Sequence, residues 1–118
     1  MKILVVDDNR ALATVVQEVV ESREHTAKTA GDGESGYSVY LDFEPDVVIT
    51  DIHMPKKNGM QLMEAILKHN PRTKMVLMTG SPRIFGKSID EVRERHRVTV
   101  LKKPFSSFEL LGVLKNLE

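Results

Sequence analysis

The chain has 118 residues, 41% of them hydrophobic and 29% charged, enough for one packed core and too few for two. Lys plus Arg and Asp plus Glu number 17 each, so no net field draws it to nucleic acid or to an anionic membrane. Cysteine is absent, which excludes disulfides and thiolate metal sites, and no apolar run approaches the roughly 20 residues of a spanning helix.

The first apolar run, Ile3 to Val6, is short and broken by Asp7 and Asp8, unlike a signal peptide. A soluble cytoplasmic chain is expected, binding neither nucleic acid nor membrane directly. Being continuous and β-branched, the same run predicts a strand buried on both faces. Asp7-Asp8-Asn9 ends it and offers caps for a helix starting near Arg10, with Leu12, Val15, Val16, Val19 and Val20 on its apolar face. Thr26 to Ala30 predicts a weak edge strand, Gly31-Asp32-Gly33 a turn, and Glu34 to Leu41 a short helix.

Asp46 to Thr50 is the second buried strand, and it delivers Asp51 to a turn enforced by Met54-Pro55 and Asn58-Gly59. Met60, Met63, Ile66 and Leu67 give the next helix its face, and Asn70-Pro71 stops it. Lys74 to Met78 is the next buried strand, ended by Thr79-Gly80-Ser81-Pro82. A charged segment, Ile89 to Arg97, places Glu91 and Arg95 at i,i+4 spacing and predicts a solvated helix. Val98 to Leu101 is the last strand, and the capping box Ser106-x-x-Glu109 opens a final helix.

Strand and helix thus alternate five times, predicting an α/β fold: a five-stranded, doubly wound parallel sheet. Ligands of such sheets bind beyond the carboxyl ends of the strands. Those positions hold Asp7 and Asp8, Asp51, Thr79 and Gly80, and Lys102 and Lys103. Converging carboxylates repel one another unless a cation neutralises them, and their oxygens suit a hard ion such as Mg²⁺. A lysine and a hydroxyl aimed at the same place would stabilise a phosphoryl group on a carboxylate nucleophile. Each signal also has a plainer reading. Asp7 and Asp8 can be helix caps, Thr79 a turn residue, and Lys102-Lys103 an ordinary basic pair.

The motifs V-V-D-D, D-I-H-M-P-K-K-N-G, M-T-G and K-K-P-F occur in one order along essentially the whole chain, which in this resembles the receiver domains of two-component response regulators. The resemblance implies a flavodoxin-like (βα)5 sheet in the order 2-1-3-4-5, with residues 1–118 forming one receiver domain and no output domain in the chain. It implies that Asp51 accepts a phosphoryl group from a histidine kinase, a histidine phosphotransfer protein or a small donor such as acetyl phosphate. Asp7, Asp8, Asp51 and the backbone carbonyl of His53 would hold Mg²⁺, with Mn²⁺ able to substitute. Thr79 and Lys103 would contact the phosphoryl group, and the Lys103–Pro104 bond would be cis.

The function so implied is a phosphorylation-activated switch that changes binding of a downstream protein, hydrolyses its own acyl phosphate and is not a conventional turnover enzyme. A weak homodimer through the last strand and helix is a further expectation. His53 and Ser81 fall where the family tunes hydrolysis. Val100 replaces the aromatic or histidine usual three residues before the active lysine, which leaves a non-phosphorylated interaction module as the alternative. A phosphatase of the haloacid dehalogenase type is disfavoured, because its second acid would fall on His53.

Overall fold

The unbroken apolar runs form the inner strands of one parallel sheet. The structure, a computed structural model, describes residues 1–54, 57–80, 91 and 98–118. Its strands are β1 (Lys2–Val6), β2 (Thr26–Ala30), β3 (Val47–Asp51), β4 (Lys74–Thr79) and β5 (Val98–Lys102). The helices among the described residues are α1 (Arg10–Glu21), α2 (Gly33–Phe43), α3 (Gly59–His69) and α4 (Ser107–Leu117). Every neighbouring pair of strands is parallel, and the order is β2-β1-β3-β4-β5. Of the expected helix over Ile89 to Arg97 only Glu91 is among the described residues, and Ser81 and Pro55 of the turn after β3 lie outside them.

Because strand side chains alternate, the buried runs divide into two cores. Leu4, Val6, Val48, Met75 and Leu77 face α2 and α3, where Tyr40, Leu62, Met63 and Ile66 cover them. Ile3, Val5, Val47, Ile49, Val76 and Met78 face α1 and α4, under Val16, Val20, Leu110 and Leu114. Burying each large side chain contributes about 1.5–3 kcal/mol, so continuous apolar strands favour the two-sided sheet. β2 sits at the edge, and Ala27 is its one buried residue.

One assignment on α1 needs correction. Val15 was expected on the apolar face with Leu12, Val16, Val19 and Val20, yet it is 52% exposed. Ala13 takes the buried place instead, together with Val16 and Val20. The five-residue face is wider than the strip a single sheet contact can cover, and Val15 lies at its outer border.

The strand alternation also sets up the sheet edge. Asp7 continues the parity of Ile3 and Val5, Asp51 that of Val47 and Ile49, and Lys103 that of Leu101. All three therefore leave their strands toward the same face at the same carboxyl edge. The register fixes the height: Val6 lies opposite Thr50, Asp51 opposite Met78, and Thr79 opposite Lys102.

Candidate functional site

Asn9 decides which of the acids after β1 is free for chemistry. Its side chain caps α1 by accepting from the Leu12 N–H, so neither Asp7 nor Asp8 is spent as the N-cap. Asp7 is held instead by the Asn9 N–H, which donates to its Oδ1 at 2.9 Å. Its own N–H donates to the Ala30 carbonyl at 3.1 Å, continuing the β1–β2 ladder by one bond. Asp7 is buried and Asp8 exposed.

Asp51 ends β3 with its side chain nearly buried. The Thr50 hydroxyl donates to the Asp51 carbonyl at 2.9 Å, and the Ile52 N–H donates to the Met78 carbonyl at 3.1 Å. The chain then returns at once into α3, whose Asn58–Gln61 capping box is complete. Gly59 lies against the Asp51 carbonyl oxygen, where an added Cβ would sit at 2.1 Å.

Lys103 joins the two acids. Its Nζ donates to Asp7 Oδ2 at 2.9 Å and lies 3.5 Å from Asp51 Oδ2. The Lys103 N–H donates to the Thr79 carbonyl at 2.8 Å, which ties the residue to the end of β4, and the Lys103–Pro104 bond is cis. Thr79 itself is fully buried. Lys102, the other candidate of the pair, ends β5 exposed.

Burial pushes the Asp51 carboxyl above its ordinary value. The Lys103 ammonium opposes the rise, the Asp7 charge adds to it, and the His53 backbone N–H and the Lys103 hydrogen bond lower it again. One oxygen each from Asp7, Asp8 and Asp51 lies within 4.8 Å of the others. This set fits a hard divalent cation such as Mg²⁺: all donors are carboxylate oxygens, and exposed Asp8 leaves one side of the group open to water. Asp7, Asp8 and Asp51 are the side chains that could hold it.

Among the described residues Lys103 is the cation that meets both buried acids, so its loss has a predictable sign. Lys103→Met keeps the stem and removes the charge. It is expected to destabilise the metal-free chain by about 2 kcal/mol at neutral pH, less than for a fully buried pair because the lysine side chain is 23% exposed. Urea melts with and without Mg²⁺ check this. Recovery on adding Mg²⁺ would identify the lost charge as the cause, whereas an unchanged deficit would point to lost packing.

The strand-end reading thus places Asp7, Asp8, Asp51 and Lys103 in one group, with Thr79 beside it through the Lys103 backbone. His53 is exposed two residues beyond Asp51. Val100 is half-buried and packs against the core under α2 and α3. The support that Asn9 gives Asp7 and Thr50 gives Asp51 was not foreseen. An Asn directly after two acids at a helix start is the signal that could have revealed the first.

The family model described as the response regulator receiver domain matches residues 3–115. The chain is 31% identical over 117 residues to protein CcdB of Bacillus subtilis, covering 98% of this chain and 96% of that protein. It is 33% identical over 116 residues to the transcriptional regulatory protein CpxR of Escherichia coli, covering 97% of this chain. It spans only 47% of CpxR. Among solved structures, the chemotaxis protein CheY4 of Vibrio cholerae shares the fold at a TM-score of 0.89 and 24% identity, covering 99% of this chain and 98% of that one.

Proposed function

Because the chain belongs to the response regulator receiver domain family, we propose that it is a phosphorylation-activated switch of a two-component or phosphorelay system. The observation that carries this reading is the Lys103 ammonium, 2.9 Å from Asp7 and 3.5 Å from Asp51, beside three carboxylates whose oxygens lie within 4.8 Å of one another. That is the charge arrangement needed to receive a dianion on a carboxylate.

In the proposed reaction an Asp51 oxygen bonds to phosphorus as the P–N bond of a donor phosphohistidine breaks. The imidazole leaves with the bonding pair and takes up a proton. Burial makes the Asp51 carboxylate more basic and hence more nucleophilic, while the Lys103 ammonium opposes that rise. The Lys103 ammonium then faces the phosphoryl oxygens, and the Thr79 hydroxyl donates to one of them. Asp7, Asp8 and Asp51, with the His53 carbonyl, would hold Mg²⁺, which when bound would neutralise phosphoryl charge as a Lewis acid. Mn²⁺ would serve in its place. Asp7 positions Lys103, and Asn9 positions Asp7.

The partners proposed are a histidine kinase or histidine phosphotransfer protein upstream and a protein target downstream, in the cytoplasm. The domain acts once per donor and hydrolyses its own acyl phosphate, so it is not a turnover enzyme in the ordinary sense. No helix among the described residues is long and apolar enough to cross a membrane.

Intact mass after incubation with acetyl phosphate and Mg²⁺ tests the proposal. A single Mg²⁺-dependent phosphoryl adduct is expected. If neither an adduct nor Mg²⁺-dependent binding of beryllofluoride is seen, the chain is an unphosphorylated interaction module, a reading to which Val100 lends its only support. Steady turnover of general phosphoesters would favour a phosphatase instead.

A further inference from the structure

Gly33, the first residue of α2, is buried against a segment remote from it in sequence. A Cβ built there would lie 2.6 Å from the Lys57 carbonyl carbon, 2.8 Å from the Lys57 Cβ and nearer still to the carbonyl oxygen. No described glycine has a positive φ, so backbone conformation does not call for glycine at this position. Glycine also costs more backbone entropy on folding than alanine would. The close approach of Lys57 is what requires it.

A second contact joins the same two segments. The Lys57 ammonium lies 5.1 Å from the centroid of the Tyr37 ring, one turn along α2. Tyr37 is stacked in turn on buried Tyr40 at 5.7 Å, and the Tyr40 hydroxyl lies 2.9 Å from His69 Nδ1 at the end of α3. Thus α2 holds Lys57 twice, by its backbone at Gly33 and by its ammonium at Tyr37. The packed seam between α2 and α3 anchors both contacts.

Lys57 belongs to the turn that leaves the acid cluster. The Ile52 N–H ties the start of this turn to β4 through the Met78 carbonyl at 3.1 Å. The Gly59 N–H closes its end on the Ile52 carbonyl at 2.9 Å. Between those two bonds the chain runs outside the sheet and carries His53, two residues after Asp51. We propose that Gly33, together with Tyr37, is a positioning residue for the metal and phosphoryl site, because α2 sets the conformation of the 52–58 turn and so places the His53 backbone. This rests on the phosphoswitch reading, in which that backbone carbonyl serves a bound cation.

The consequence of a substitution here differs from that at Gly59. There the obstructing atoms belong to Asp51 and Ile52, which strand pairing and the bond to Met78 pin in place. At Gly33 they belong to a turn that can give way. An added methyl therefore displaces the turn and leaves the sheet where it is. Loss of a group that supports a metal ligand commonly lowers metal affinity about 10–100-fold.

Calorimetric titration with Mg²⁺ tests the proposal on the wild type, Gly33→Ala, Gly36→Ala and Tyr37→Leu. Gly33→Ala is expected to bind Mg²⁺ about tenfold more weakly than wild type. Its phosphoryl adduct should form about tenfold more slowly at low Mg²⁺ and at the wild-type rate once Mg²⁺ saturates. Gly36→Ala is the control on the same helix, since its Cβ would press on the Val6 and Leu62 side chains and not on the turn. Its Mg²⁺ affinity should equal that of wild type. In metal-free amide spectra the His53 resonance should move in Gly33→Ala and stay in Gly36→Ala.

Tyr37→Leu keeps the Lys57 charge, removes the ring beneath it and should weaken Mg²⁺ binding about threefold. It decides the matter if Gly33→Ala does not fold. Wild-type Mg²⁺ affinity in folded Gly33→Ala or in Tyr37→Leu would overturn the proposal, as would an equal loss in Gly36→Ala. A wild type that binds neither Mg²⁺ nor beryllofluoride would instead remove the phosphoswitch reading and this inference with it, so the two failures are distinguishable.

Discussion

Asp51→Asn is expected to abolish the phosphoryl adduct completely and, in the absence of metal, to make the chain more stable than the wild type. The first effect follows from the proposed chemistry, since an amide of nearly the same shape offers no anionic oxygen to phosphorus. The second follows from electrostatics. Asp51 is almost buried beside Asp7, and one lysine shared between two acids compensates them incompletely. Neutralising one acid leaves Lys103 its 2.9 Å contact to Asp7. The gain should be about 1 kcal/mol at neutral pH, or about 4 °C in melting temperature.

The pH dependence has a definite sign. The Asp51 pKa is raised in the fold above its ordinary value of 3.8, chiefly by burial. A carboxyl with a raised folded-state pKa favours folding most when protonated. Its contribution is fully present below 3.8 and is lost as pH rises through the folded-state value. The stability gap between Asp51→Asn and wild type should therefore be near zero in acid and open as pH rises toward neutrality. Mg²⁺ should narrow it again, because the ion binds the folded wild-type carboxylates and adds RT ln(1 + [Mg²⁺]/Kd) of stability. Thermal melts at several pH values, with and without Mg²⁺, check all three statements. If the variant proved less stable than wild type at neutral pH without metal, Asp51 would be a structural anchor and not a strained nucleophile.

Gly59→Ala is expected to be the most damaging small substitution near the site. A Cβ there would lie 2.1 Å from the Asp51 carbonyl oxygen and 2.8 Å from the Ile52 Cα. Both are backbone atoms, and the Gly59 N–H also donates to the Ile52 carbonyl at 2.9 Å, so the clash cannot be relieved by a side-chain rotation. Either α3 retreats from the sheet, exposing Leu62 and Ile66, or the end of β3 moves and carries Asp51 with it. A loss of roughly 3 kcal/mol is expected, with slower adduct formation in whatever remains folded. Gly31→Ala is the control, since an added Cβ there meets nothing within 4 Å. Urea denaturation of the pair decides the matter: equal stabilities would show that α3 backs away at no cost.

The period of the apolar residues was sufficient to place the strands and most helices, because a strand buried on two faces must be apolar without interruption. Ile3 to Val6, Val47 to Ile49 and Met75 to Met78 satisfy that condition, and Thr26 to Ala30, which does not, lies at the edge. The same reasoning located the candidate site, since polar residues that follow such runs must gather at one edge of a parallel sheet. Turn chemistry was legible too. Ser106-x-x-Glu109 opens the last helix through a complete capping box, while Asn58-Gly59, expected as a turn, proves also to cap α3 through Gln61.

What the linear order could not supply was the choice among neighbours. Asp7 and Asp8 are chemically identical on paper, and only the alternation of β1 together with the Asn9 cap makes one buried and the other exposed. Between Lys102 and Lys103 the place directly before Pro104 already favours Lys103, but the physical reason comes from the fold, where strand parity and the bond to Thr79 set Lys103 against the acids. Val15 shows the same limit on α1, where spacing alone offered five apolar residues for a narrower contact and Ala13 took the inner place. A sequence records which residues alternate. Whether a given carboxylate is desolvated, and which cation answers it, depends on atoms brought together from Asp7 and Lys103, 96 residues apart, and that only the closed sheet decides.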